Sequence, residues 1–103
     1  MNHIALIGMR GSGKTSVGRV VAANLGRAFV DCDEHIEQRA GISIRELFEQ
    51  HGESGFRRLE SEILAGLLGA SNQVVSVGGG AVIAAENRRL LATRAICVWL
   101  RAS

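Results

Sequence analysis

The sequence contains no proline and no tyrosine, and it has only one tryptophan and three phenylalanines. Without proline, and without a low-complexity tract or an internal repeat, nothing marks a linker between domains. The 103 residues are enough for one small domain, and 47% of them are hydrophobic and available for a core. We therefore predict a single domain over residues 1–103.

Cysteines and long apolar runs are also scarce. Cys32 and Cys97 form neither a CxxC pair nor a metal-ligand cluster, so neither a disulfide framework nor a zinc site is indicated, and we predict two reduced thiols. No apolar stretch is long enough to cross a membrane, and the N-terminus lacks the features of a secretory signal. These absences predict a soluble, cytoplasmic protein without a membrane partner.

Neither the net charge nor the histidines indicate a nucleic-acid partner or a metal site. The net charge is only +2, and the arginines are scattered without the interleaved aromatics of a nucleic-acid surface, so we expect no nucleic-acid partner. We also expect a monomer. His3, His35 and His51 are too dispersed for a metal site. We predict ordinary surface or helix positions for them.

One motif stands out against this background. Lys14 is the only lysine in the chain, and residues 8–15 read GMRGSGKT, a complete GxxxxGK(S/T) phosphate-binding loop. In such a loop the backbone N–H groups surround phosphate oxygens, the lysine reaches the β/γ region of a triphosphate, and the threonine hydroxyl ligates Mg²⁺. The sequence therefore predicts ATP with Mg²⁺, Thr15 as a metal ligand, and these nucleotide-binding residues: Gly11, Ser12, Gly13, Lys14, Thr15 and Ser16.

The residues around the motif support this interpretation. An apolar strand, residues 4–7, precedes the loop, and apolar residues at helical spacing follow it from Val17 to Leu25. A helix beginning near Gly13 or Lys14 would direct its N-terminal N–H groups at the phosphates. The alternative is a glycine-rich turn without a ligand.

The rest of the chain alternates strands and helices. Further strands are predicted at residues 28–31, 74–77 and 96–100, and the last, being fully apolar, is predicted to be covered on both faces. Helices are predicted from Asp33, from a capping box at residues 43–46 to an interruption at Gly52, from there to residue 69, and around residues 84–91. This order predicts an α/β fold of the P-loop NTPase type, a parallel sheet between two helical layers with ligands at the carboxyl ends of the strands.

Two carboxylates end the second strand. Asp31 and Asp33 are the only aspartates in the chain. One can approach Mg²⁺ through water, and the other can accept the proton of a hydroxyl that attacks the γ-phosphate. The alternatives are that Asp33 only caps the next helix and that Asp31 is simply a polar residue at the end of a strand.

A basic residue and a glycine run complete the candidate site. Arg57 lies three residues before Glu60 on a predicted helix, so the glutamate can hold the guanidinium in one orientation suited to a carboxylate ligand. The alternative is a solvated surface pair, which is the interpretation we prefer for Arg58. Gly78, Gly79 and Gly80 end the third strand and would let a ligand lie against backbone N–H groups.

Taken together, these segments resemble shikimate kinase. The resemblance is carried by GMRGSGKTS (8–16), Asp31-Cys32-Asp33, GESGFRRLE (52–60) and the triple glycine, in the family's order and spacing across essentially the whole chain. It implies transfer of the γ-phosphate of ATP to the 3-hydroxyl of shikimate. The implied roles are Asp33 as base and substrate ligand, Lys14 as catalytic cation and Asp31 near Mg²⁺, with these further substrate contacts: Arg57, Gly78, Gly79, Gly80, Phe48 and Phe56.

The resemblance also implies that family members continue beyond residue 103, with a lid arginine and a second carboxylate-binding arginine. We therefore expect the fold to be incomplete at the C-terminus and the activity of this chain to be low or absent. Two alternatives stay open at this stage. One is a kinase of the gluconate type, and the other is a nucleotide-binding module without turnover.

Overall fold

The computed structural model describes residues 3–8, 14–70 and 72–100. Strands and helices alternate along the chain, as predicted, and a 3₁₀ turn over Gly79–Ile83 follows the third strand. The elements are β1 (His3–Gly8), α1 (Lys14–Leu25), β2 (Phe29–Asp31), α2 (Cys32–Ala40), α3 (Ile44–Gly69), β3 (Val74–Gly78), α4 (Ala85–Arg94) and β4 (Ala95–Trp99). Within α3 the backbone breaks at Gly52, whose φ of 71° belongs to the left-handed region that favours glycine, so the predicted interruption is confirmed.

The four strands form one parallel sheet in the order β2-β3-β1-β4. Gly8 pairs with Gly78, and Asp31 pairs with Ser76, so the carboxyl ends of the three neighbouring strands β1, β3 and β2 meet at one edge. The predicted parallel α/β sheet is therefore confirmed. Ligands of such sheets bind beyond this edge.

Helices cover the two faces of the sheet separately. Because strand side chains alternate between faces, Ala5 and Ile7 of β1 pack with apolar residues of α2, α3 and α4 in the larger core cluster. Leu6 packs in a second cluster with Ala22 of α1. The arrangement is the predicted three-layer α/β/α sandwich, with α1 as the described helix on the second face.

The prediction that the last strand is covered on both faces is wrong. β4 is at the edge of the described sheet, and its Ile96 and Val98 are 58% and 40% exposed. Ala95 and Cys97 of the same strand turn towards the larger core cluster. Ile96 and Val98 face the side of the sheet on which α1 lies, but α1 packs against β1, β2 and β3, so no described helix covers that face of β4.

The start of α2 also differs from the prediction. The capping residue is Asp31, whose Oδ1 accepts a hydrogen bond from the N–H of Asp33 at 2.9 Å, and the helix begins at Cys32. Asp33 thus lies inside the first turn and is not the helix cap. At the next helix, Ser43 accepts from the Glu46 N–H at 3.1 Å as predicted, while its hydroxyl donates to the Glu46 carboxylate at 3.2 Å.

His3 does not lie on the surface, which corrects its predicted position. It is 3% exposed, its Nδ1 accepts from the N–H of Gln73 at 3.1 Å, and its Nε2 lies 3.0 Å from the carbonyl oxygen of Leu68. The ring therefore joins β1 to the turn that precedes β3. His35 and His51 are exposed, as predicted.

Over the described ranges, no three His, Cys, Asp or Glu side chains are grouped to hold a metal ion. None of the helices described is long and apolar enough to cross a membrane. Cys32 is buried, Cys97 is partly buried, and both are free thiols, as predicted.

Candidate active site

A cavity of about 960 Å³ opens at the carboxyl edge of the sheet. Its lining comes from the ends of β1, β2, β3 and β4 and from the first residues of α1 and α2. It therefore brings together parts of the chain that are far apart in sequence. The lining residues are Gly8, Lys14, Thr15, Ser16, Asp31, Asp33, Ser76, Gly78, Gly79, Gly80, Ile83, Trp99 and Leu100.

The first turn of α1 supplies the basic end of this cavity. Gly11, Ser12 and Gly13 lie outside the described residues, whereas Lys14, Thr15 and Ser16 all line the cavity. The Nζ atom of Lys14 donates to the carbonyl oxygen of Val77 at 3.3 Å, which holds the ammonium beside the end of β3. A cation and a helix N-terminus together favour an anionic ligand at this end.

Both aspartates line the same cavity. Asp31 ends β2, where one of its carboxylate oxygens is committed to the helix cap, and Asp33 lies two residues further along, in the first turn of α2. Ser76 pairs with Asp31 in the sheet and also lines the cavity, although sequence reasoning did not select it. The cavity thus has a cationic side on α1 and an acidic side on β2 and α2.

Arg57 of α3 lies against a residue that lines the cavity. Its Nη1 donates to Glu60 Oε1 at 2.8 Å, and its guanidinium lies 5.1 Å from the centre of the Phe56 ring. The Nε atom also faces Glu53 Oε1 at 3.8 Å. Arg57 does not itself line the cavity, but its guanidinium lies directly against Gly80, which does.

The predicted Arg57 and Glu60 pair is therefore present, and it is not a solvated surface pair. Glu60 is 2% exposed. Burial raises the pKa of the Glu60 carboxyl above its ordinary value of 4.5, the hydrogen bond and charge of Arg57 oppose that rise, and the charge of Asp33 adds to it. A buried carboxylate held by one arginine fixes the arginine more firmly than an exposed partner would.

Phe56 lies against Arg57, and Phe48 stacks on Phe56. Their rings stack with centroids 4.6 Å apart, and neither ring is among the residues that line the cavity. Phe56 supports the guanidinium through the contact described above. Their predicted role as pocket walls stays a prediction.

Cys32 is buried next to the acidic side of the cavity. Burial, together with the charges of Asp33, Glu60 and Asp31, raises the pKa of its thiol to about 12, against the opposing charge of Lys14. The thiol therefore stays protonated at neutral pH and acts as a small apolar side chain. It is not a candidate nucleophile.

Sequence reasoning missed the residues that hold the 3₁₀ turn over Gly79–Ile83, which we call the glycine turn. Asn87 of α4 is 2% exposed, and its Nδ2 donates to the carbonyl oxygen of Ala81 at 2.9 Å. The Nη1 atom of Arg88 donates to the carbonyl oxygens of Val82 and Ile83, both at 2.7 Å. No sequence signal indicates these bonds, because an asparagine or arginine within a helix is usually solvated.

We expect Asn87→Leu to destabilise the fold by about 1–3 kcal/mol, because the buried carbonyl of Ala81 would lose its donor. The measurement is the free energy of unfolding by urea. Asn24→Leu is the matched control, since Asn24 is exposed on α1 and should change stability by less than about 0.5 kcal/mol. Equal effects of the two substitutions would contradict the role given to Asn87.

These features define a class of protein. In a P-loop nucleotide-binding fold, a strand, a phosphate-binding loop motif and a helix follow one another within a parallel sheet. This chain has that order, and acidic and glycine-rich strand ends lie beside its lysine. The chain belongs to the shikimate kinase family, whose sequence model, described as "Shikimate kinase", matches residues 10–103.

Known proteins agree with this assignment. The chain is 50% identical over 101 residues to a shikimate kinase of Methylococcus capsulatus, in a match that covers 98% of this chain and 56% of that protein. It is 52% identical over 100 residues to the shikimate kinase of Nitrosococcus oceani, with 97% and 53% covered. The chain thus spans about half the length of the curated relatives it matches.

Solved structures agree as well. A shikimate kinase from Acinetobacter baumannii, in complex with shikimate, matches with a TM-score of 0.93 and 44% identity, covering 97% of this chain and 56% of that one. A gluconokinase from Sinorhizobium meliloti matches with a TM-score of 0.60 and 22% identity, covering 95% of this chain and 56% of that one. At that identity the second likeness shows the fold alone.

Proposed function

We propose that this chain carries the donor and acceptor sites of an ATP-dependent shikimate kinase, which phosphorylates the 3-hydroxyl of shikimate to give shikimate 3-phosphate. One observation supports this most directly. A single cavity is lined by Lys14 of the phosphate-binding motif, by Asp33 and by Gly80, against which the Arg57 guanidinium lies. A phosphate donor and a small carboxylic acid could therefore meet in that cavity.

At the donor end, Lys14 would neutralise charge on the β- and γ-phosphates, and the N-terminus of α1 would supply backbone donors. Gly11, Ser12 and Gly13 would complete the phosphate cradle by their position in the motif, and Ser16 would support it. The ammonium is already held near the end of β3 by its bond to the Val77 carbonyl. Binding would thus exchange one oxygen partner for another without moving the helix.

The residues present fit Mg²⁺ in the way this ion usually binds. Mg²⁺ keeps several water ligands and takes one or two protein oxygens together with the phosphates, so it needs no cluster of carboxylates. The hydroxyl of Thr15 would bind it directly, and Asp31, which lines the same cavity, would hold one of its waters. When bound, the ion would neutralise charge on the transferring phosphate.

At the acceptor end, Arg57 would bind the carboxylate of shikimate with its planar fork. Asp33 would accept the proton of the 3-hydroxyl while the oxygen of that hydroxyl forms the new bond to the γ-phosphorus. The bond from that phosphorus to the bridging oxygen breaks, and ADP leaves with the electron pair. Backbone N–H groups of Gly78, Gly79 and Gly80 would contact the substrate and the transferring phosphate, and Phe48 and Phe56 would border the substrate.

The family and the Acinetobacter baumannii complex with shikimate support shikimate as the acceptor. The same proposal includes ATP and shikimate as the partners, a monomer, a cytoplasmic location and no nucleic-acid partner. The small net charge of +2 supports the last of these.

The proposal is tested by calorimetric titration of the folded chain, saturated with Mg²⁺ and ADP, with shikimate and then with gluconate. We expect saturable binding of shikimate and none of gluconate at the same concentrations. Preference for gluconate would indicate a kinase of that type. Binding of nucleotide but of neither acid would reduce the chain to a nucleotide-binding module and would contradict the proposal.

A further inference from the structure

Gly80 occupies a position where a side chain would meet the guanidinium of Arg57. A Cβ atom built on Gly80 would collide with Nη2 of Arg57 and would lie 2.7 Å from its Nη1 and 2.8 Å from its Cζ. All three atoms belong to the guanidinium, so the group lies in the space that any other residue would fill. A Cβ atom at Gly78, two residues earlier, would meet nothing within 4 Å.

The conformation of the backbone does not explain this glycine. Among the described residues the glycines with positive φ are Gly26, Gly41 and Gly52, and Gly80 does not belong to them. Alanine could therefore adopt the backbone conformation of Gly80 without strain. What alanine could not do is share the space with Arg57.

The guanidinium is also held from its other sides. Glu60 accepts from Nη1 at 2.8 Å, the Phe56 ring lies 5.1 Å away, and Glu53 faces Nε at 3.8 Å. A methyl group at position 80 would push the guanidinium away from the turn. Since the side chain of Arg57 is flexible, it would move before the backbone did, and its hydrogen bond to Glu60 would break.

We propose that Gly80 is a positioning residue for carboxylate recognition, because its missing side chain provides the space in which Arg57 is held between Glu60 and the cavity. This inference rests on the proposed function, in which Arg57 binds the substrate carboxylate. It gives Gly80 a role separate from any contact of its own backbone with the substrate. The substrate carboxylate would then be recognised by two elements together, α3 through Arg57 and the glycine turn through Gly80.

The test is a double-mutant cycle on shikimate binding, measured by calorimetry with Gly80→Ala, Arg57→Ala and the double variant. A misplaced guanidinium should weaken shikimate binding by roughly 10-fold or more in Gly80→Ala while leaving ADP affinity unchanged. In the Arg57→Ala background the same substitution should change shikimate affinity by less than about 2-fold. Equal losses in both backgrounds would mean that Gly80 acts directly, and would overturn the proposal.

Gly66→Ala provides the matched control. Gly66 lies on α3, as Arg57 does, and a Cβ atom there would meet nothing within 4 Å. We expect unchanged shikimate and nucleotide affinity. If Gly80→Ala alone does not fold, the double variant should fold as Arg57→Ala does, because the clash is gone. Misfolding of the double variant beside a folded Arg57→Ala would overturn the proposal.

A second readout does not depend on shikimate. Arg57 lowers the pKa of Glu60 against the effects of burial and of Asp33. Gly80→Ala should therefore raise the pKa of Glu60, followed by carboxyl ¹³C NMR, but not in the Arg57→Ala background. An unchanged Glu60 titration would overturn the inference, whereas a wild-type chain that ignores shikimate would overturn only the proposed function.

Discussion

Lys14→Ala should reduce the affinity for Mg²⁺ and ATP by roughly 100-fold, equivalent to about 2.7 kcal/mol, while the fold stays intact. The loss follows because the ammonium would be the cationic partner of the β- and γ-phosphates, and no other lysine exists in the chain. The fold should survive because the described polar contact of Lys14 is one hydrogen bond of 3.3 Å to Val77. Calorimetric titration with a non-hydrolysable ATP analogue measures the effect.

Arg19→Ala is the matched control for this substitution. It removes one positive charge from the same helix, but Arg19 lies over the Phe29 ring at 5.4 Å and does not line the cavity. We expect its ATP affinity to stay within about 2-fold of the unsubstituted chain, since an exposed charge away from the site is screened by salt. If both variants lost affinity equally, the loss would reflect net charge, and the role assigned to Lys14 would be wrong.

Arg57→Ala should weaken shikimate binding by roughly 100-fold and ATP binding hardly at all, because it would remove the proposed bidentate partner of the substrate carboxylate, which lies at the acceptor end only. Arg58→Ala is the control, since Arg58 is the next residue on α3 and is exposed. It should bind both ligands as the unsubstituted chain does. Equal weakening of both ligands by Arg57→Ala would make Arg57 a structural residue and contradict the assigned acceptor site.

The stability of Arg57→Ala should also depend on pH in a defined direction. Burial raises the pKa of Glu60 above 4.5 and Arg57 opposes the rise, so losing Arg57 raises that pKa further. A carboxyl whose pKa is raised on folding destabilises the folded state as pH increases from its unfolded pKa to its folded pKa. The variant should therefore lose more stability at pH 7 than at pH 4, by roughly 1–3 kcal/mol. Urea unfolding of both chains at the two pH values measures the difference, and an equal loss at both would contradict the coupling of Arg57 to Glu60.

Much of the fold follows from local patterns. The strand before Gly8 and the helix after Lys14 are marked by apolar runs and helical spacing on either side of a glycine-rich motif. The kink in α3 follows from Gly52, which can adopt a positive φ. These features depend on near neighbours in sequence, and all of them are present in the structure.

The features that sequence reasoning missed depend on distant parts of the chain. Whether both faces of β4 are covered depends on which helices pack against it, and its apolar sequence does not specify that. His3 is buried because Leu68 and Gln73 offer it a carbonyl and an N–H. The sequence neighbours of β4 and of His3 do not specify either of these environments.

The candidate site divides in the same way. The motif residues could be named from sequence because their spacing is fixed by the chemistry of phosphate binding, and the two aspartates could be named because a strand ends there. The contact of Arg57 with Gly80 joins α3 to the turn after β3, and the hydrogen bond from Asn87 to Ala81 joins α4 to the same turn. Such contacts appear only when the sheet has assembled and α3 and α4 have packed beside the glycine turn.

The most direct test of the central claim is ADP release from Mg²⁺ and ATP by the purified chain, with shikimate, with gluconate and without an acceptor. Any release should depend on shikimate, should disappear in Asp33→Asn, and should be slow, because the chain spans about half the length of its relatives. Release that is the same with all three mixtures, or that depends on gluconate, would contradict phosphoryl transfer to shikimate, whereas a folded chain that binds both ligands without release would be an incomplete kinase.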